Sequence, residues 1–155
     1  MARNAIVVGD SRYRLKDFKE LTLITPNEAE AYQLCGMDGG DDIEKLGRDI
    51  MGFMGVAALL ITRGNKGMTL FLRDGTIHHI PISGKDDVAD VTGAGDTVCA
   101  VAALSLASGA DFYAASRVAN YAAGVVVMKR GTATVTMEEL QSAMETYGKN
   151  HTHTG

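Results

Sequence analysis

The run DVTGAGDTV, Asp90 to Val98, places two carboxylates and a Gly-Ala-Gly step immediately before the apolar stretch CAVAALSLASG. A turn of small residues opening into an apolar helix leaves the first backbone N–H groups without intrahelical acceptors. The helix dipole adds positive potential at the same point. Gly93, Ala94 and Gly95 carry too little side chain to obstruct an anion, so their amides and that of Asp96 can receive a phosphate or a developing negative charge. Asp96 then has two readings. It is a general base that aligns a hydroxyl beside an anion hole, or it is an ordinary first-turn acid that complements the dipole. The turn matches neither G-x-x-x-x-G-K-[ST] nor G-x-G-x-x-G.

Working outward, the chain alternates short apolar runs with amphipathic ones. Ala5–Val8, Leu21–Ile24 and Val56–Thr62 are continuous apolar runs ended by turn residues, the pattern of strands buried on both faces. Met68–Leu72 and Thr76–Ile82 flank Arg73-Asp74-Gly75, where Asp-Gly signals a hairpin. Helices are expected from Glu28 to the stop at Gly36, from the cap Asp42 through Phe53, over Gly95–Ser108, and over Phe112–Met128 behind Asp111. A last one follows Thr136, which has capping-box spacing to Glu139 and leads to about Tyr147. This order predicts an α/β three-layer sandwich with a mostly parallel sheet. Residues 1–149 read as one unit and residues 150–155 as a disordered tail.

Two further loops lie at the carboxyl ends of predicted strands, where open α/β sheets bind ligands. TRGNKG, Thr62–Gly67, is either part of such a site or a glycine-rich reverse turn. TPNEAE, Thr25–Glu30, offers Asn27 and Glu30, which equally suit a helix cap and a solvated first-turn acid. Other candidates are weaker. His78 and His79 are adjacent on a strand and point to opposite faces, so they cannot readily share a metal. Cys35 and Cys99 have no ligand at metal spacing and read as buried free thiols.

The bulk composition narrows the classes. With 155 residues, 46% hydrophobic and 22% charged, the chain suits one globular domain. A net charge of −4 and no Lys/Arg block argue against nucleic acid. No apolar run approaches a membrane span and no disulfide framework is present, so a cytoplasmic setting without membrane partners is expected.

Taken together, DVTGAGDT, TRGNKG and the N-x-x-E of Asn27–Glu30 resemble the ribokinase-like (PfkB) carbohydrate kinases. The resemblance implies that Asp96 is the catalytic base and that the amides of Gly93, Ala94, Gly95 and Asp96 form the anion hole. It places Thr62, Gly64 and Gly67 beside ATP or ADP, Asn27 and Glu30 near Mg²⁺ and the triphosphate, and Asn120 of ANYAAG in the adenine pocket. Asp90 and Thr92 match positions that bind a monovalent cation. The stretches VVGDSRYRLKDFKELTLITPNEAE and GVVVMKRGTATVTMEEL are similar to the kinase part of bifunctional ADP-heptose synthases, which phosphorylate a heptose 7-phosphate. The implied partners are a nucleotide and a sugar phosphate.

The resemblance spans nearly all of this chain but only the C-terminal half of a family member. A glycine-rich sugar-binding segment, several strands and a lid have no counterpart here, and no H-x-G-H of a nucleotidyltransferase occurs. A truncated gene, one half of a split enzyme and a non-catalytic nucleotide-binding module all remain open. The run Ala5–Val8 and the apolar helices would then lack cover, so a homodimer or larger assembly is expected.

Overall fold

The computed structural model describes residues 5–11, 14–18, 21–83 and 93–148. Asp90, Thr92 and the predicted tail 150–155 lie outside them. Five strands form one sheet whose spatial order follows the chain: β1 (Val8–Gly9), β2 (Leu23–Ile24), β3 (Ala58–Thr62), β4 (Met68–Leu72) and β5 (Ile77–Ile80). Pairing is parallel from β1 to β3 and antiparallel from β3 to β5. The sheet is therefore mixed, with parallel pairing confined to its first three strands.

Connection length explains the change of direction. The β2–β3 crossover contains helices α1 (Glu28–Leu34) and α2 (Ile43–Met54), enough chain to return to the starting edge. Between β3 and β4 lies only a tight turn around a 3₁₀ helix, Gly64–Lys66, which can do no more than reverse the strand. β4 and β5 join through the expected hairpin, in which Asp74 Oδ1 accepts from Thr76 N at 2.9 Å.

Strand β3 shows why three layers form. Leu59 and Ile61 point into one core with Leu46, Ile50 and Met54 of α2. Ala58 and Leu60 point into the other, against Val98 and Ala102 of α3 (Ala94–Ala107) and Ala115 and Ala119 of α4 (Phe112–Val127). All four β3 residues are fully buried. Each leucine or isoleucine so buried contributes roughly 1.5–3 kcal/mol. Helix α5 (Met137–Gly148) packs on α4, and Lys129 pairs with Glu139 at 2.8 Å.

Helix starts follow the capping residues. Asp42 accepts from Lys45 N at 2.8 Å and Asp111 from Ala114 N at 2.7 Å. Thr136 and Glu139 form the expected capping box, at 3.2 and 2.8 Å. Each such cap stabilises by about 1 kcal/mol. His78 and His79 diverge as predicted: His78 lies against the ring of Tyr113, while His79 meets Thr69 and Glu44. No helix among the described residues is long and apolar enough to cross a membrane.

Two expectations shift. Ile6 and Val7 are 42% and 47% exposed, not buried on both faces, because among the described residues β1 pairs on one side only, with β2. Both cysteines are free but half-buried, and burial is the main influence raising each thiol above its ordinary range.

Gly47 sets a test of packing against propensity. It lies inside α2, where alanine is intrinsically better by about 1 kcal/mol. A Cβ there would overlap the buried ring of Phe71. Overpacking typically costs about 1–3 kcal/mol, so Gly47→Ala is expected to lower unfolding stability by roughly 1 kcal/mol or more. Urea denaturation checks this, and adding Phe71→Leu should recover most of the loss; a stabilised Gly47→Ala would show that Phe71 moves freely.

Candidate functional site

Parallel pairing puts the carboxyl ends of β1, β2 and β3 at one edge of the sheet, so Asp10, Asn27 and Thr62 emerge side by side. Thr62 N donates to Pro26 O at 3.0 Å, and Asn27 and Thr62 form an isolated parallel bridge. Arg63 Nε reaches Glu28 Oε2 at 3.4 Å, with only 16% and 26% of the two side chains exposed. The two loops are thus tied through both backbone and charge.

Within the first loop, Asn27 Oδ1 accepts from Glu30 N and Glu30 Oε2 accepts from Asn27 N, both at 2.9 Å. The helix-cap reading of this pair is therefore realised. Capping does not exclude ligand binding, because it fixes both side chains at the sheet edge.

In the second loop, Arg63 N donates to Gly67 O at 2.8 Å and closes the turn. Gly64 and Gly67 have φ of +57° and +80°. At Gly67 a Cβ would also strike the carbonyl of Ile80 and lie 2.9 Å from Ile82 N. Conformation and space both demand glycine here.

The third component is the start of α3. Gly93, the N-cap, adopts φ +82° and has no side chain with which to cap the helix. Thr97 is the first residue to return to the turn, its amide and hydroxyl reaching Gly93 O at 3.0 and 2.9 Å. The amides of Ala94, Gly95 and Asp96 precede that bond and face away from the helix. The Asp96 side chain is exposed. Asp10 was not singled out from the sequence, yet it belongs here. Its carboxyl is held above the usual range by partial desolvation first, then by the neighbouring carboxylates of Glu30 and Asp96.

These parts enclose a cavity of about 380 Å³. Asn27, Thr62, Gly64, Gly67, Ala94, Gly95 and Asn120 all line it. Gly93, Glu30 and Asp96 are not in its wall. The sequence reading also missed Ile82, Ser83, Ala123, Gly124 and Val127, which line it too. A signal existed for Ala123 and Gly124, which follow Asn120 at helical spacing of three and four; Ile82 and Ser83 carried none.

Comparison with known proteins adds an independent line. The family pattern described as pfkB family carbohydrate kinase matches residues 10–140. The bifunctional protein HldE of Halorhodospira halophila is 48% identical over 128 residues, covering 82% of this chain and 27% of that protein. HldE of Azorhizobium caulinodans is 40% identical over 151 residues, covering 93% of this chain and 30% of its own length. The chain thus spans less than a third of either relative. Among solved structures, Arabidopsis thaliana ribokinase complexed with ribose and ATP superposes with a TM-score of 0.72 at 26% identity, covering 81% of this chain and 41% of that one. Escherichia coli phosphofructokinase-2 gives a TM-score of 0.77 at 18% identity, covering 92% and 47%, a likeness of fold. With the ribokinase-like architecture, the three converging loops and the family pattern in agreement, the chain belongs to the pfkB family of carbohydrate kinases.

Proposed function

We propose that this chain is the nucleotide-binding and catalytic half of an ATP-dependent sugar kinase, with a sugar phosphate of the heptose 7-phosphate type as acceptor. The observation that carries the reading is the start of α3, where Ala94 and Gly95 face the Thr62–Gly67 turn across one cavity and Asp96 follows next in the chain. The HldE relatives support the acceptor class, and the ATP in the ribokinase structure supports the donor.

In this reading the triphosphate lies along Asn27, Thr62 and Gly64, and the adenine occupies the apolar part near Asn120. The amides of Ala94, Gly95 and Asp96 receive the charge of the transferring phosphoryl group. Asp96 takes the proton of the acceptor hydroxyl as its oxygen bonds to the γ-phosphorus, and the bond from that phosphorus to the β,γ-bridging oxygen breaks to release ADP. Positioning and charge neutralisation do most of the work in such a transfer. Asp10 joins Glu30 as a candidate holder of Mg²⁺, because crowded carboxylate oxygens suit a hard cation. Among the described residues no group of three or more acidic, His or Cys side chains holds an ion by itself. Mg²⁺ keeps several waters and takes further ligands from phosphates. When bound, the ion neutralises charge on the β- and γ-phosphates. The monovalent-cation role remains assigned to Asp90 and Thr92.

A second reading is that this half binds nucleotide and turns over only alongside an acceptor-binding part. Calorimetry with ADP and Mg²⁺ tests what both share: weak binding is expected, and no heat at millimolar nucleotide would reject both. Asp96→Asn tests the base that both readings invoke. In a longer chain carrying the acceptor-binding part, it should leave nucleotide affinity unchanged and cut kcat by about a hundredfold or more; unchanged turnover would make Asp96 an ordinary first-turn acid.

Asp10 yields a pH prediction. Its folded-state pKa lies above its ordinary value of 3.8, so its contribution to stability is present in acid and lost as pH rises through the folded value. Asp10→Asn should therefore raise Tm at about pH 7, with the gap closing as pH falls towards about 4, while weakening Mg²⁺-dependent nucleotide binding. Melting curves across that range check the sign.

We also propose that the β1 edge, open among the described residues, and the exposed Ile6 and Val7 beside it pair with a second copy of the chain. Light scattering at micromolar concentration should give the mass of a dimer or larger species, and a monodisperse monomer would refute it.

A further inference from the structure

Past Ile80 the β4–β5 ladder ends, its last pair being Met68 with Ile80. The next three residues, Pro81–Ser83, form a strap that passes from an exposed proline to a buried serine, and Ile82 and Ser83 line one wall of the cavity. Something other than a ladder must hold them, since Pro81 has no amide to donate.

The holding contacts come from two elements. On α4, Asn120 Nδ2 donates to Pro81 O at 2.9 Å, and Asn120 O accepts from Ser83 Oγ at 3.0 Å. Asn120 and Ser83 are 6% and 4% exposed. One turn further, Gly124 lets the strap approach the helix: a Cβ there would strike Ser83 O and lie 2.7 Å from its Oγ. From the opposite side Gly67 admits Ile80 O and Ile82 N in the same way. The strap is thus pinned by Asn120 and closely approached by two glycines, at Ile82 N and at Ser83.

The cavity lining divides by chemistry. Asn27, Thr62, Gly64, Ala94 and Gly95 offer polar groups and amides, whereas Ile82, Ala123 and Val127 offer flat apolar surface. On the nucleotide reading given above, on which this inference rests, the apolar part takes the base. We propose that Asn120 is a positioning residue for the nucleotide base: it makes no use of its side-chain amide on the ligand, and instead sets the place of Pro81–Ser83 and hence the width of the base slot. Buried amide hydrogen bonds are costly to leave unmade, which is why an asparagine side chain suffices to hold a segment with no ladder.

The test compares two ligands, ADP and inorganic tripolyphosphate, because only ADP has a base for the slot to grip. Asn120→Ala and Gly124→Ala should each weaken ADP about tenfold while leaving tripolyphosphate within twofold of the unsubstituted chain. Asn120→Asp keeps the size and the Ser83 contact but turns a carboxylate oxygen towards Pro81 O, and should show the same selective loss. It serves as the second variant where the alanine substitution unfolds the protein. Equal loss of both ligands would mean a general structural defect and would overturn the proposal, as would unchanged ADP affinity in Asn120→Asp. An unsubstituted chain that binds tripolyphosphate no less tightly than ADP would also overturn it while sparing the phosphate site. One that binds neither would overturn the nucleotide reading itself.

Discussion

Backbone hydrogen bonds from Ala57 N to Leu21 O, Ala58 N to Thr22 O and, at the carboxyl ends, Thr62 N to Pro26 O at 3.0 Å keep β2 and β3 level. The site depends on that alignment. It places Asn27 beside Thr62, lets Arg63 reach Glu28, and brings α1's first turn against the Thr62–Gly67 turn. Were β3 to slip by one residue, Leu59 and Ile61 would exchange faces with Ala58 and Leu60, and both cores would be disrupted. Core packing therefore fixes the register, and the register fixes the site.

The fold was legible wherever a pattern had one physical meaning. Asp42, Asp111 and Thr136 stand where capping chemistry requires, and Asp74-Gly75 makes the hairpin its composition demands. Strand extents were less legible, because apolar runs such as Ala5–Val8 report hydrophobicity and not pairing. Val8 and Gly9 pair with β2, whereas Ile6 and Val7 precede the ladder on an open edge. The direction of β4 could be reasoned from its short connection, yet alternation of strands and helices elsewhere favoured a parallel sheet.

The candidate site was legible where glycines and acids stand close together in sequence, at Gly93–Asp96 and Thr62–Gly67. It was not legible where function arises from chain segments brought together only by folding. Ser83 has no local signal, and its place depends on Asn120 and Gly124, which lie 37 and 41 positions away. Asp10 was passed over because a lone carboxylate after a strand is common; its meaning comes from Glu30 and Asp96, remote in sequence and near in space.

That spatial strand order repeats chain order bears on how the molecule assembles. Every ladder in the described sheet joins strands that are consecutive in the chain. The β3–β4–β5 meander closes over short turns, so its loop entropy is small and its contacts are local. Short loop closure favours early formation of such a meander, with β3 then available as a template for β2 and β1. Growth by addition to an existing edge needs no strand to be inserted between two others. A sheet built this way ends, at every stage, on an edge still able to accept another strand.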